Sequence, residues 1–195
     1  KEESLLTGKL EKTNQCYAIA KISGIKLCES LYEDFNLDII CLMPTNVYGE
    51  NDKFNKLDGH VIPAMIAKFE IAKKNKKKKI KLLGTGKPLR EFIHSEDLAE
   101  AIYFCLKTKK SVLKRLFKSK LPIINVGTKD EISIKKLSKL IAKYIGYKGK
   151  VIFDRSFPDG TFRKSLNSNK MKKLGWKPKI DFKTGLQKLI DLRGF

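Results

Sequence analysis

The sequence is poor in the residues that build metal sites and disulfide scaffolds. It has two histidines and four cysteines in 195 residues, and no two cysteines form a C-x-x-C pair. This scarcity argues against a zinc site, and we expect no bound metal. Cys16, Cys28, Cys41 and Cys105 lie far apart in mostly apolar stretches. We therefore expect reduced thiols in the protein core.

Long apolar runs are missing as well. No stretch approaches the roughly 18 consecutive apolar residues that a membrane-spanning helix requires, and the largely charged residues 1–4 are unlike a secretory signal. We expect a cytoplasmic protein with no membrane partner. A hydrophobic content of 42% over 195 residues suits one domain, or a domain and a half, around a packed core.

Acidic residues are scarce relative to basic ones. Lysine and arginine number 42 against 21 aspartates and glutamates, which gives a formal charge of +21. Such a charge can attract nucleic acid. However, the excess is mostly lysine, is spread along the chain, and is densest at residues 73–79, where no aromatic side chain is interleaved. We favour a solvated loop and expect no nucleic-acid partner, while attraction of a phosphorylated small substrate stays open.

The apolar periodicity predicts alternating helices and strands, which indicates an α/β architecture. Helices are predicted at about residues 16–33, 61–73, 133–145 and 184–192, with one more helix that Ser95 caps. Strands are predicted at about residues 37–43, 80–83, 91–94, 123–126 and 151–153. The strand at 37–43 is apolar nearly throughout. Such a strand belongs inside a parallel sheet that is covered on both faces.

A glycine-rich phosphate turn is also absent. Dinucleotide-binding folds carry G-x-G-x-x-G or a close variant between the first strand and helix, because only glycine lets the backbone close on the pyrophosphate. The segment Gly84-Thr85-Gly86 has too few glycines and leads into a strand rather than a helix. We expect that the first half of a complete cofactor fold lies elsewhere or has been lost.

Tyr17 and Lys21 stand at positions i and i+4 of the first predicted helix, which places both side chains on one face. An ammonium group beside a phenol stabilises the phenolate, so such a tyrosine can exchange a proton with a carbonyl or an alcohol. Alone, this spacing is a weak indication, because a lysine-rich chain produces it by chance. The alternative is a tyrosine that packs on a lysine stem.

Further motif blocks accompany this pair in a fixed order. They are Y-A-I-A-K at 17–21, M-P-T-N-V-Y-G at 43–49, H-V-I-P-A at 60–64, G-T-G-K-P-L-R-E-F-I-H at 84–94, P-D-G-T at 158–161 and L-G-W at 174–176. Their order and spacing resemble the extended short-chain dehydrogenases/reductases, and the GDP-L-fucose synthases in particular. The resemblance covers nearly the whole chain.

The resemblance implies the C-terminal part of a Rossmann-like, doubly wound parallel sheet together with a smaller α/β substrate-binding subdomain. Residues 1–60 would be the end of the dinucleotide-binding domain. Residues 61–195 would mainly form the substrate subdomain, with about 92–107 and 122–127 returning to the first domain. The resemblance also implies NADP as cofactor, a GDP-sugar as substrate and a homodimer.

Roles for individual residues follow from the resemblance. In this family, GDP-4-keto-6-deoxy-mannose is epimerised at two carbons and its keto group is reduced by NADPH. Tyr17 would donate a proton to the developing alkoxide, and Lys21 would assist it and hold the nicotinamide ribose. His60 would be the general acid of epimerisation, since histidine titrates near neutral pH, although a capping or surface histidine is the alternative. These three would also contact the cofactor, beside the segment Pro44, Thr45, Asn46 and Val47.

Arg90 is the first choice for the substrate diphosphate, because a guanidinium chelates phosphate oxygens with a fork of donors. The other residues at substrate-contacting positions of the family are Lys68, Leu83, Lys150, Asp159 and Lys164. Lys68 and Lys150 stand where relatives have arginines, and Leu83 where a larger aromatic is familiar. These departures imply weaker affinity or a different nucleotide sugar, and ordinary surface charge is the alternative for each lysine.

The catalytic set implied by the resemblance is incomplete in this sequence. The family's serine and cysteine partners lie upstream of the tyrosine helix, and Cys16 cannot replace that cysteine because neighbouring helical residues point about 100° apart. Two further functions stay open. One is a non-catalytic binding or assembly module, which the missing glycine turn motivates, and the other, ranked last, is a charge-driven nucleic-acid binder.

Overall fold

The computed structural model describes residues 1–54 and 59–194 and confirms the α/β class. Its α-helices are α1 (Gln15–Phe35), α2 (Val61–Lys74), α3 (Ser95–Lys107), α4 (Lys110–Phe117), α5 (Ile134–Ile145), α6 (Asn169–Leu174) and α7 (Phe182–Asp191). Its strands are β1 (Cys41–Pro44), β2 (Asn46–Tyr48), β3 (Lys79–Leu83), β4 (Leu89–His94), β5 (Ile123–Val126), β6 (Glu131–Ser133), β7 (Lys150–Asp154) and β8 (Arg163–Lys164). Two short 3-10 helices, Glu2–Ser4 and Lys12–Asn14, precede α1. None of the helices in these ranges is long and apolar enough to cross a bilayer.

The strands pair into three sheets within the described residues. β1 pairs in parallel with β5, and β3 pairs in parallel with β7. β4 is the centre of the third sheet, where it pairs in parallel with β2 and β8 and antiparallel with β6. The parallel pairing predicted from the buried strands is confirmed. The division into two domains at residue 60 stays a prediction.

Strands β2 and β4 form a wall between two hydrophobic cores. Tyr48 and Phe92 belong to the first core, whereas Val47 and Ile93, which are register partners, pack with the second. Successive residues of a strand point to opposite faces, so the same two strands serve both cores. The first core gathers side chains from α2, β3, α5 and α7, and the second gathers side chains from α3, α4, β5 and α6.

The predicted strand at 37–43 is shorter and shifted in the structure. β1 contains only Cys41–Pro44, and its register partners are Ile123–Val126 of β5. Backbone pairing, rather than apolar character, sets its length, because an extended segment becomes a strand only where a neighbour accepts its hydrogen bonds. Strands β2, β6 and β8 and helices α4 and α6 were not predicted from the sequence; the stretch after Pro44 was expected to be a polar loop as far as His60.

His94, rather than Ser95, caps helix α3. The ring atom Nδ1 of His94 accepts a hydrogen bond from the backbone N–H of Glu96 at 3.3 Å, and Ser95 is the first helical residue. The predicted serine cap was wrong by one residue, because β4 continues as far as His94 and the chain passes directly from strand to helix. Glu96 and Asp97 stand in the first turn of α3, where negative charge is favourable.

The four cysteines are free, but they do not share one environment. Cys105 is buried, and burial raises the pKa of its thiol to about 11. Cys41 is half-buried beside Cys28, and burial followed by the contact with Cys28 raises the pKa of Cys41 to about 11. Cys16 is exposed, so the prediction of a core thiol was wrong there, because no residue of α1 is buried.

Candidate active site

Helix α1 presents Tyr17 and Lys21 one turn apart. The Nζ atom of Lys21 lies 5.5 Å from the centroid of the Tyr17 ring, and Tyr17 is 61% exposed. The ammonium stands over the ring face, which is a cation–π contact. Tyr103 and Lys107 of α3 form the same contact at 5.6 Å. The local geometry alone therefore does not identify a catalytic pair, and the wider site has to do so.

The predicted cofactor segment is tied to β4 by two side chains. Thr45 Oγ1 and Asn46 Nδ2 both donate to the backbone carbonyl of Glu91, at 2.9 and 2.7 Å. These two hydrogen bonds to one carbonyl fix the point where β1 ends and β2 begins. The other two members of the segment are Pro44, which is exposed at the end of β1, and Val47, which is half-buried in β2.

The carboxylate of Glu91 is fully buried and holds two further segments. Its Oε1 accepts from the backbone N–H of Lys129 and its Oε2 from that of Leu166, both at 2.8 Å. A Cβ at Gly127 would stand 2.2 Å from Oε1, so only glycine fits beside this carboxylate. Sequence reasoning missed Glu91 as a site-building residue. The available indication was an acidic residue between Arg90 and the apolar end of the strand.

His60 stands immediately before α2 and points into solvent. Its side chain makes no capping hydrogen bond and is 82% exposed. The ring atom Nδ1 lies 3.4 Å from Oδ1 of Asp52, a contact that becomes an ion pair when the imidazole is protonated. The contact orients the ring and leaves it accessible to a ligand. Asp52 was not foreseen as its partner.

Arg90 lies where β4 meets β8. Its Nη1 donates to the carbonyls of Leu89 at 2.7 Å and Thr161 at 2.8 Å, which holds the guanidinium plane. Partial burial lowers the pKa of Arg90, and the nearby carboxylates of Glu11 and Asp159 oppose that shift. The guanidinium is therefore partly buried, and the nearby carboxylates balance its positive charge.

Strand pairing places Lys164 next to Arg90, since the two residues are register partners in β8 and β4. The Nζ atom of Lys164 forms an ion pair with Glu11 Oε2 at 2.8 Å. Two cations thus meet at one point of the β4 sheet, although they are 74 positions apart in sequence. The structure brings together these two residues of the predicted substrate set.

Asp159 fastens the loop before β8 to the glycine turn. Its two carboxylate oxygens accept from the backbone N–H of Thr85 at 2.8 Å and from Thr85 Oγ1 at 2.5 Å, and these bonds lower the pKa of Asp159. Gly84 has φ +77°, and a Cβ there would stand 2.3 Å from the Asp159 carboxylate. The glycine turn therefore holds the loop that carries Asp159 in place.

Three predicted substrate residues remain, and they lie on β3, β7 and α2. Leu83 is 59% exposed at the end of β3, directly before the turn that Asp159 holds. Lys150 begins β7 beside Lys79, so it lies about 13 Å from the Leu83 end of the sheet at 3.3 Å per residue. It lines a separate cavity of about 420 Å³ with lysines of the 73–79 run. Lys68 is half-buried on α2.

Within residues 1–54 and 59–194, no group of three histidine, cysteine, aspartate or glutamate side chains is placed to hold a metal ion. The predicted site residues instead comprise a phenol, an imidazole and several cations. Such donors suit phosphate and sugar hydroxyl groups.

The model of the NAD dependent epimerase/dehydratase family matches residues 1–127. This chain belongs to that family. It is 43% identical to the GDP-L-fucose synthase of Sinorhizobium fredii over 188 residues and 43% identical to that of Escherichia coli over 185 residues. These matches cover 96% and 95% of the chain but 57% and 58% of the relatives, so the chain spans a little over half of their length.

One solved structure that this chain resembles is a GDP-mannoheptose C4 reductase from Campylobacter jejuni with NADP bound. It has a TM-score of 0.81 and 28% identity, over 100% of this chain and 64% of that one. The resemblance to GDP-L-fucose synthases that the ordered motifs predicted is confirmed. The residue roles carried over from it stay predictions.

Proposed function

We propose that this chain supplies the catalytic helix α1 and the sugar-nucleotide site of an NADP-dependent epimerase and reductase. The enzyme converts GDP-4-keto-6-deoxy-D-mannose to GDP-L-fucose. The observation that carries the proposal is the arrangement around β4. Arg90 pairs there with Lys164, and the next residue, Glu91, accepts the hydrogen bonds that hold Thr45 and Asn46. One strand, β4, therefore connects the cations predicted to bind the diphosphate to the segment predicted to bind the cofactor.

The donor set around Tyr17 suits the nicotinamide end of a dinucleotide. Tyr17 and Lys21 are exposed hydroxyl and ammonium donors on one helical face, which matches the hydroxyl groups of a ribose. The pyrophosphate end has no comparable fit in this chain, because no G-x-G-x-x-G turn leads from a strand into a helix in the sequence. When bound, NADPH supplies the hydride that reduces the keto group.

The protein's own groups move the protons. Tyr17 donates its phenolic proton to the oxygen of the reduced keto group, and the adjacent Lys21 ammonium stabilises the phenolate that remains. His60, oriented by Asp52, is the general acid that donates a proton to the carbon beside the keto group during epimerisation. The base on the opposite face would be the cysteine that the resemblance places outside this sequence. Arg90 and Lys164 bind the diphosphate and so fix the sugar relative to these groups.

The proposal is tested by following NADPH oxidation at 340 nm with the keto-sugar nucleotide. Tyr17→Phe removes the proton donor and is expected to lower the rate by about 10²- to 10⁴-fold. Tyr103→Phe is the matched control, because Tyr103 lies over Lys107 in the same geometry on another helix. Undiminished turnover by Tyr17→Phe would contradict the assigned role.

A wild-type chain that binds GDP but oxidises no NADPH would favour the non-catalytic binding module. The homodimer and the cytoplasmic location implied by the resemblance are proposed on that ground alone. Size-exclusion chromatography with light scattering tests the dimer, and a monomer at micromolar concentration would contradict it.

A further inference from the structure

The N-terminal segment places a carboxylate beside the cations that we predict to bind the substrate diphosphate. Glu11 lies immediately before the 3-10 helix Lys12–Asn14, and its Oε2 stands 2.8 Å from Nζ of Lys164. The Glu11 side chain is 32% exposed and that of Lys164 is 41% exposed. The contact is therefore partly shielded but open to a ligand from solvent.

The same carboxylate acts on the second cation of the site. Burial lowers the pKa of Arg90, and among the charges that oppose this shift Glu11 has the largest effect, ahead of Asp159. The Asp159 carboxylate is already engaged by two hydrogen bonds from Thr85. Glu11 is thus the acid that balances the Arg90–Lys164 pair, and it comes from outside the sheet that carries the two cations.

We propose that the Glu11 carboxylate occupies the position of a phosphate oxygen at Lys164 and Arg90, and that a nucleoside diphosphate binds by displacing it. The inference rests on the proposed function, since it concerns the same substrate site. A carboxylate and a phosphate are both anionic acceptors, and the 2.8 Å separation is that of a charge-assisted hydrogen bond to either. A partly exposed ion pair contributes little to stability, so a diphosphate with more oxygens can replace it.

A matched control lies one residue away. Arg163 pairs with Glu131 at 2.6 Å, in the same strand as Lys164. Neighbouring strand residues point to opposite faces, so this second ion pair faces away from the Arg90 guanidinium. Glu131→Gln therefore makes the same change of charge, next to the same strand, without clearing the proposed phosphate position.

The experiment measures GDP binding to the full chain by isothermal titration calorimetry. Glu11→Gln is expected to tighten GDP binding by about three- to tenfold, because the diphosphate no longer competes with a carboxylate. Glu131→Gln is expected to stay within about twofold of wild type, and Glu11→Asp, which keeps the charge, to stay close to wild type. Guanosine, which lacks phosphate, should show no change. Structural damage weakens binding, so a tighter complex cannot result from it.

Three outcomes contradict the inference in different ways. Equal or weaker GDP binding by Glu11→Gln shows that the carboxylate does not compete with phosphate. Equal tightening by Glu11→Gln and Glu131→Gln shows a general effect of charge instead of displacement. Absence of GDP binding by every variant, Glu11→Gln included, removes the proposed substrate site itself and the displacement with it.

Discussion

At the scale of single residues, buried Glu91 joins three other segments of the chain, two through its carboxylate and one through its backbone carbonyl. It bonds to the backbone of Lys129 and Leu166, while its own carbonyl holds Thr45 and Asn46. A buried acid survives only when its oxygens are satisfied. The fixed geometry around Arg90 therefore depends on a residue that need not touch a ligand.

Glu91→Gln should destabilise the fold. Both carboxylate oxygens of Glu91 accept a hydrogen bond from a backbone N–H, whereas the glutamine amide has one acceptor oxygen and must place its NH₂ group against the second N–H. We expect the free energy of unfolding to fall by about 1–3 kcal/mol in urea titrations. Glu100→Gln is the control, since Glu100 forms an exposed ion pair with Lys179, and it should change stability by less than about 0.5 kcal/mol. Equal losses of unfolding free energy in the two variants would show that the buried hydrogen bonds of Glu91 stabilise the fold no more than an exposed ion pair does.

His60→Gln should separate the two proposed half-reactions. Loss of the imidazole removes the proton carrier for epimerisation but leaves Tyr17 in place for reduction. In D₂O, deuterium incorporation into the sugar is expected to fall by about 10²-fold, while reduction of a pre-epimerised substrate continues. Tyr17→Phe should show the reverse pattern. Unchanged deuterium incorporation in His60→Gln would assign epimerisation to another group.

Asp154 should make stability depend on pH in the acid range. Hydrogen bonds from Lys81 and Ser156 lower the pKa of Asp154 to about 2, below its ordinary value of 3.8. A carboxyl with a depressed folded pKa stabilises the protein above its unfolded pKa, and that contribution is lost as pH falls. The stability difference between wild type and Asp154→Asn should therefore shrink between pH 4 and pH 2. A difference that stays constant over this range would contradict the assignment.

At the scale of elements, two helical glycines are expected to respond to alanine with opposite signs. A Cβ at Gly24 of α1 meets nothing within 4 Å, so Gly24→Ala should stabilise α1 by about 0.5–1 kcal/mol. A Cβ at Gly185 of α7 would stand 2.4 Å from the hydroxyl oxygen of Tyr48, so Gly185→Ala should cost about 1–3 kcal/mol.

Two measurements distinguish these effects. Amide hydrogen exchange should slow in α1 for Gly24→Ala, and the midpoint of urea unfolding should fall for Gly185→Ala. Stabilisation by Gly185→Ala would mean that α7 shifts freely, against the packing seen here.

The elements that sequence reasoning located correctly are those whose own pattern determines them. Helix α2 was predicted at 61–73 and runs from Val61 to Lys74, and α5 was predicted at 133–145 and runs from Ile134 to Ile145. Each carries apolar residues at helical spacing. β1 was predicted too long, because its bounds depend on its register partners in β5, 82 residues later. The short strands β2, β6 and β8 were missed because only their pairing with β4 makes them strands.

The candidate site shows the same limit. The spacing of Tyr17 and Lys21 is local, so their common helical face followed from sequence alone. The meeting of Arg90 with Lys164 depends on strand register, and the Glu11 contact depends on where the N-terminal segment lies. Lys150 was grouped with Leu83 in the substrate set, but parallel pairing puts them at opposite ends of one sheet. Such long-range neighbours cannot be read from spacing.

At the scale of the whole molecule, the shared wall of β2 and β4 should make the two cores unfold together. Ile141 is fully buried in the first core, and Trp176, the one tryptophan of the sequence, is buried in the second. Ile141→Ala should cost about 2–4 kcal/mol through the cavity it creates. The loss should appear equally in far-UV circular dichroism, which follows all helices, and in Trp176 fluorescence, which follows only the second core.

Ile124→Ala in the second core is the reciprocal variant, since Ile124 is also fully buried. If β2 and β4 couple the cores, both variants shift the urea midpoints of both probes to the same extent, because neither core can lose its packing while the wall stays intact. A fluorescence midpoint that stays at the wild-type value in Ile141→Ala would show two independent units. That result would favour a division of the chain into separate domains, whereas coincident midpoints favour one cooperative unit in which Arg90 and Glu91 lie on the common wall.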